Sequence, residues 1–323
     1  RPVSEVDFFP ITVDFGDTTE DFHVGKGSIA VPGMIAGVFQ LHRDYGSIPM
    51  RELVQPAIEL AKNGVEIVPF QYLDFQLLTP ILELSNISKD IYFNKNGLLK
   101  TIGESYKMPQ MADFFEFIAK AGEAEFYKGE IAQKITEEQI QNGGYLTRKD
   151  FEEYQVIIRK PLQFQHGNFQ ILTNPLPSTG GSLMALMLTN LEKSSDTYQD
   201  KNYILNLLKT LKKVQHFGKL PDELAIALNK TLQKNPSKHG STTHFNIVDK
   251  DGNAVSLTST NGEGSGTYIE NTQVQLNNML GEAALVPEGF HNWRNDVRLS
   301  SMMAPTLVLD AQNEFKASLG SGG

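Results

Sequence analysis

Two hydrophobic periods divide this chain. Over roughly the first two thirds, apolar residues recur at helical spacing, with glycine or proline at most boundaries. Pro56 suits a first helical position, Ala57, Ile58, Leu60 and Ala61 supply an apolar face, and Gly64 follows Asn63 as the residue that ends the helix. A second helix is predicted over Met111–Ala121, carrying Phe114, Phe115, Phe117 and Ile118 and stopping at Gly122. Thr147-Arg148-Lys149-Asp150 reads as a capping box with Asp in place of Glu, opening a short helix through Tyr154. Val156-Ile157-Ile158 and Phe169-Gln170-Ile171-Leu172 read as strands divided by the turn-rich Gln165-His166-Gly167-Asn168. Pro175–Gly181 reads as a rigid loop entering an apolar helix, Ser182–Leu191, and a further helix over Tyr203–Phe217 sets Ile204, Leu207, Leu208, Leu211 and Val214 on one face. Pro221 to Lys238 is a polar stretch.

From residue 242 the pattern is that of strands. Thr242–Asp249 and Asn253–Thr260 flank Asp251-Gly252, a strong hairpin signal. A two-residue loop sets Lys250 opposite Asn253, and Thr242 then lies opposite Asn261 and next to Thr260. This register predicts a cluster of hydroxyl and amide residues at one end of the hairpin.

Composition narrows the chemistry. The chain has 323 residues, 29 Lys plus Arg against 38 Asp plus Glu, a net charge of −9 and no cysteine. That is a soluble globular composition, large enough to bury a core without disulfide or metal staples. Zero cysteine removes disulfides, thiolate metal sites and a cysteine nucleophile together. An acidic balance without a basic run argues against a general nucleic-acid binder, and no segment approaches the roughly 20 apolar residues of a membrane span. Phosphate-loop, metalloprotease, calcium-loop and nucleophile-elbow motifs are missing. His239 and His244 are badly spaced for a shared metal, and Gly262-Glu263-Gly264-Ser265-Gly266 reads as a turn or as a backbone nest for an anion.

Ser241-Thr242-Thr243-His244-Phe245, the Asp251-Gly252 turn, Leu276-Asn277-Asn278, Ser300-Ser301-Met302 followed by Ala304-Pro305-Thr306, and Gly320-Ser321-Gly322-Gly323 occur in an informative order. With Ala30-Val31-Pro32-Gly33, Tyr45-Gly46-Ser47-Ile48-Pro49-Met50, Leu53–Ile58 and Asn174–Gly181 upstream, the chain resembles the γ-glutamyltranspeptidase family of N-terminal nucleophile hydrolases, which includes capsule depolymerases, at points along almost its whole length. The resemblance implies an α+β fold, a four-layer αββα sandwich, made of a large-subunit portion, 1–241, and a small-subunit portion, 242–323, that together form one domain. Missing flanking parts of both subunits are expected, as if the chain were cut at both ends.

The resemblance further implies self-cleavage between Ser241 and Thr242, which frees Thr242 as the nucleophile. Thr260 is then its hydroxyl partner, and Gly322 and Gly323 supply backbone N–H groups to the oxyanion. Arg1, Asn261, Glu282, Ser300 and Ser301 are the implied substrate-binding residues. The implied activity is transfer of a γ-glutamyl group from glutathione-like or other γ-glutamyl amides to water or an amine. No metal or organic cofactor, nucleic acid or membrane span is implied, and the partners are a small-molecule or peptide γ-glutamyl substrate and the two fragments of one precursor. A secreted or cell-surface location is expected. Met279 stands where the family often has Gln or Glu, Asn261 directly follows Thr260 where the family usually spaces Thr-x-Asn, and Pro2 follows Arg1 where Glu is usual. These departures keep open a related acylase or poly-γ-glutamate depolymerase with altered amine specificity, and a degenerate non-catalytic homologue.

Overall fold

The computed structural model describes residues 3–16, 18–191, 201–215, 242–286 and 288–322. Arg1, Ser241, Gly323, His239 and the polar stretch from Pro221 to Lys238 lie outside the described residues, so the roles expected of them have no structural counterpart here. The chain is a mixed α and β protein that divides into two compact units, residues 1–157 with 261–283 and residues 158–260 with 284–323. Each unit therefore draws on both sides of the Ser241–Thr242 bond. Among the described residues no helix is long and apolar enough to cross a membrane.

The first unit is mainly helical. Helix Gln55–Asn63 begins with Pro56 in its first turn, buries Ile58 and Ala61, and stops at Gly64, whose φ of 100° an L side chain rarely adopts. It packs on helix Pro109–Ala121, which buries Ala112, Phe114 and Ile118 and stops at Gly122. Helices Glu123–Lys128, Glu130–Gln141 and Arg148–Glu152 complete a core in which Phe126 and Phe151 are almost wholly buried. The last helix opens as its sequence suggests, with the Asp150 carboxylate collecting both the backbone N–H and the hydroxyl of Thr147 at 2.6 Å, but it ends at Glu152, short of Tyr154.

Two sequence landmarks meet in this unit through side-chain amides. Asn277 accepts from the Ala30 N–H at 3.0 Å and donates to the Ala30 carbonyl at 2.9 Å, tying Leu276-Asn277-Asn278 to Ala30-Val31-Pro32-Gly33. Asn278, fully buried, accepts from the Glu263 N–H at 2.9 Å and donates to the His23 carbonyl at 3.3 Å. Buried amides satisfied this way fix loops that no ladder holds.

The second unit contains an antiparallel four-stranded sheet in the order Phe315–Leu319, Thr306–Leu309, Phe169–Thr173, Leu162–His166. Val156-Ile157-Ile158 is not a strand: Val156 packs against the first unit's core, Ile158 is 76% exposed, and the ladder starts at Leu162, after Pro161, which has no N–H to donate. Helix Thr179–Asn190 starts three residues earlier than the Ser182 expected from the sequence and packs on strand Leu162–His166. Helix Lys201–Gln215 covers most of the last helix expected.

The hairpin of Thr242–Val248 with Ala254–Thr260 forms as expected but in a different register. Thr242 pairs with Thr260, not with Asn261, because the loop holds three residues, Lys250, Asp251 and Gly252, between Asp249 and Asn253. Asp249 selects that loop: Oδ1 accepts from the N–H groups of Asp251 and Asn253 at 2.9 Å each, Oδ2 accepts from the Asn253 side chain at 2.7 Å, and Gly252 takes φ +85°.

Candidate active site

The corrected register puts Thr242 and Thr260 on the same face of the hairpin, since residues directly opposite in an antiparallel pair project to the same side. Their hydroxyls are 2.9 Å apart, Thr242 Oγ1 donating, and both side chains remain partly accessible. Four cross-strand pairs lie along that face: Thr242 with Thr260, His244 with Thr258, Asn246 with Ser256 and, at the turn end, Val248 with Ala254. The alternate face carries Thr243 with Ser259, Phe245 with Leu257 and Ile247 with Val255. The period of two thus divides the hairpin into a largely polar face and a largely apolar one.

Gly322 lies against the nucleophile candidate. A Cβ on Gly322 would stand 2.2 Å from the Thr242 carbonyl oxygen, a contact that no side chain tolerates. The backbone of the glycine-rich segment thus reaches Thr242 as only glycine permits, and Gly322 carries an N–H with no side chain to screen it.

Ser301, directly after Ser300, sits in a clamp within the same unit. Ser301 bridges Ser178, its carbonyl accepts from the Thr179 N–H at 2.7 Å, and its hydroxyl accepts from the Met303 N–H at 3.0 Å. Ser178 Oγ donates to the Met303 carbonyl at 2.6 Å. The clamp joins Asn174–Gly181 to Ser300-Ser301-Met302, so two landmarks far apart in the chain are one local structure. The Ser301 hydroxyl keeps its own hydrogen to donate.

Asn261 and Glu282 belong to the first unit. Asn261 Nδ2 donates to the Gln275 carbonyl at 3.3 Å, and its carbonyl accepts from the Asn278 N–H at 3.3 Å. Gly262, at φ +61°, is packed so closely on Asn278 Oδ1 and Glu282 Oε1 that a Cβ there would come within 2.0 and 2.1 Å of them. The glycine run is therefore a tight turn packed on amide and carboxyl side chains. Glu282 Oε1 is buried and, among the described residues, has no hydrogen-bond partner. Burial first, then the carboxylates of Glu263 and Glu20, push the Glu282 carboxyl from 4.5 up to about 8. Met279, in the turn Met279–Gly281, brings a thioether to this region in place of an amide or carboxylate.

Sequence reasoning missed the structural use of His244, Asn246, Ser178 and Thr179. His244 and Asn246 share a face with Thr242 by the period of two alone; the one-residue register difference hid their partners across the ladder, Thr258 and Ser256.

The fold itself has solved counterparts. A cephalosporin acylase from Bacillus halodurans matches with a TM-score of 0.68 at 18% identity, covering 97% of this chain and 68% of that one, which establishes a shared fold. Residues 5–220 and 200–323 match the model of the Gamma-glutamyltranspeptidase family, and the chain belongs to that family. Among curated relatives it is 27% identical over 319 residues to the capsule biosynthesis protein CapD proenzyme of Bacillus anthracis, covering 92% of this chain and 58% of the relative. It is 30% identical over 308 residues to the glutathione hydrolase proenzyme of Pseudomonas aeruginosa, covering 85% of this chain and 54% of the relative. The chain thus spans little more than half the length of these relatives.

Proposed function

We propose that the chain is part of a γ-glutamyl hydrolase or transferase that cleaves itself between Ser241 and Thr242 and works through a Thr242 acyl-enzyme. The observation that carries this reading is the paired hydroxyls of Thr242 and Thr260 at 2.9 Å at the head of the hairpin. Family membership supports it, as does the likeness to a glutathione hydrolase proenzyme.

A threonine hydroxyl is a weak nucleophile, but an N-terminal threonine carries its own α-amine, with a pKa of about 8, beside it. Thr242 Oγ attacks the γ-glutamyl carbonyl as the α-amine takes the hydroxyl proton, and the backbone N–H groups of Gly322 and Gly323 are assigned to the oxyanion. The C–N bond then breaks, the amine leaves with the proton, and an ester to Thr242 remains. Water or an acceptor amine attacks the ester and returns a proton to the Thr242 hydroxyl. Thr260 holds that hydroxyl in line. We assign Ser300, Ser301, Arg1 and Asn261 to the donor's carboxylate, and Glu282 to its α-amine, on the match of their motifs.

On the same ground we read the fold as the four-layer αββα sandwich of N-terminal nucleophile hydrolases, with 1–241 and 242–323 as the two subunit portions of one precursor. The shared fold with the acylase and the hairpin's separate polar and apolar faces support the sandwich. We further propose that the protein is secreted or at the cell surface, as the family resemblance of its motifs implies.

A second reading, a poly-γ-glutamate depolymerase or acylase with altered amine specificity, is favoured by one observation: Met279 and a protonated Glu282 offer little to a free ammonium group. Tyr45-Gly46-Ser47-Ile48-Pro49-Met50 and the likeness to CapD point the same way. Turnover of a γ-glutamyl anilide, compared with poly-γ-glutamate and with non-glutamyl amides, separates the readings. The parent chain is expected to release the aniline and Thr242→Ala to release none; equal release by both would overturn the mechanism.

A further inference from the structure

The segment 318–322 runs beside the nucleophile strand in steps of two residues, in the opposite direction. Ser318 Oγ donates to Asn246 Oδ1, a Cβ on Gly320 would lie 2.2 to 2.6 Å from three atoms of the His244 ring, and one on Gly322 would lie 2.2 Å from the Thr242 carbonyl oxygen. Ser256, opposite Asn246, adds a bond from its hydroxyl to the Leu319 carbonyl at 3.2 Å and accepts from the Thr306 N–H at 3.2 Å. The polar face of the hairpin is thus a rail for the glycine-rich segment. In the middle of that rail stands one aromatic ring.

That ring is held on both sides. His244 Nε2 is 3.1 Å from Asn246 Oδ1, and Nδ1 is 2.8 Å from Thr258 Oγ1. Asn246 Oδ1 can only accept, so Nε2 carries the hydrogen, and Nδ1 shares a hydrogen bond with the Thr258 hydroxyl. Gly320 packs on a ring fixed at both nitrogens, two residues before Gly322. Displacing the ring or adding a methyl group at Gly320 shifts the same stretch of backbone.

We infer that His244 is a positioning residue for acyl transfer: its ring, fixed between Thr258 and Asn246, sets the Gly320–Gly322 backbone at the height on the rail where Gly322 meets Thr242. This rests on the assignment of Thr242 and Gly322 above and extends it to a residue that touches neither substrate nor the reacting atoms. An oxyanion donor acts on charge that exists only in the transition state, so misplacing it lowers kcat and leaves KM nearly unchanged.

The test is a double-mutant cycle on the full chain with a γ-glutamyl anilide. His244→Ala and Gly320→Ala are each expected to lower kcat about 100-fold, with KM within about twofold. His244→Gln, which keeps an N–H donor near Nε2, is expected to recover about tenfold of that loss. The double variant His244→Ala/Gly320→Ala is expected to be no worse than the worse single variant, because the added methyl then occupies the space the ring has left. Losses that multiply in the double variant, losses confined to KM, or unchanged kcat in both single variants would overturn the inference. So would a His244→Ala chain that melts like the parent yet stays uncut, since it would assign the ring to cleavage. A parent chain that neither cuts nor turns over the anilide would instead overturn the acyl-enzyme reading itself.

Discussion

Glu282 carries a proton under conditions where a surface glutamate would not. Its carboxyl oxygen is buried beside Gly262, and the nearby carboxylates of Glu263 and Glu20 oppose a further negative charge. A carboxyl raised from 4.5 to about 8 by folding binds more protons in the folded state than in the unfolded state between those values. Its contribution to stability is therefore complete below about 4.5 and is lost progressively as the pH rises to about 8. Glu282→Gln, neutral at every pH, should lack this component: thermal melts of parent and variant compared at pH 5 and pH 8 should show the parent losing more stability over the interval. A larger loss in the variant would contradict the assignment. The same burial explains why the residue type alone was misleading. As a sequence letter, Glu282 is an anion that attracts an ammonium group, whereas burial in the fold favours its neutral form.

At the scale of elements, the hairpin shows both what was legible and what was not. The alternation in Thr242–Val248 and Ala254–Thr260 and the Asp-Gly turn were enough to locate both strands. Loop length was not legible, because a two-residue and a three-residue loop both accept Asp251-Gly252, and the Asp249 side chain decides between them by holding Asn253. Helix Gln55–Asn63 was legible from Pro56 at its start and Gly64 at its end, and helix Pro109–Ala121 from its apolar residues and Gly122, although its start lies two residues before the Met111 expected. Val156-Ile157-Ile158 misled because β-branched residues also serve where a chain passes from one unit to the next. The three-residue loop requires Gly252 at φ +85°, so Gly252→Ala should cost about 1 kcal/mol in a denaturant titration. No loss of stability would contradict the positive φ of Gly252.

The whole molecule is built across the bond expected to break. In the first unit, Asn277 is tied to Ala30; in the second, strand Thr306–Leu309 pairs with Phe169–Thr173, and Ser301 is clamped to Thr179. Every one of these contacts joins a residue before Thr242 to one after it. Cleavage therefore divides the chain without dividing either unit, and the two fragments should co-elute on gel filtration in native buffer and separate only in denaturant. Fragments that part in native buffer would contradict the contacts described. The site's landmarks could be read as motifs in sequence, but their pairing could not, because side-chain amides and hydroxyls make those pairings across more than a hundred residues.

The central claim is that Thr242 is a nucleophile concealed within the chain. Its most direct test is N-terminal sequencing of the smaller fragment after expression of the full precursor and a denaturing gel. The account predicts a fragment beginning Thr-Thr-His-Phe-Asn in the parent and a single uncut chain for Thr242→Ala. An uncut parent, or a fragment beginning at any other residue, would contradict it.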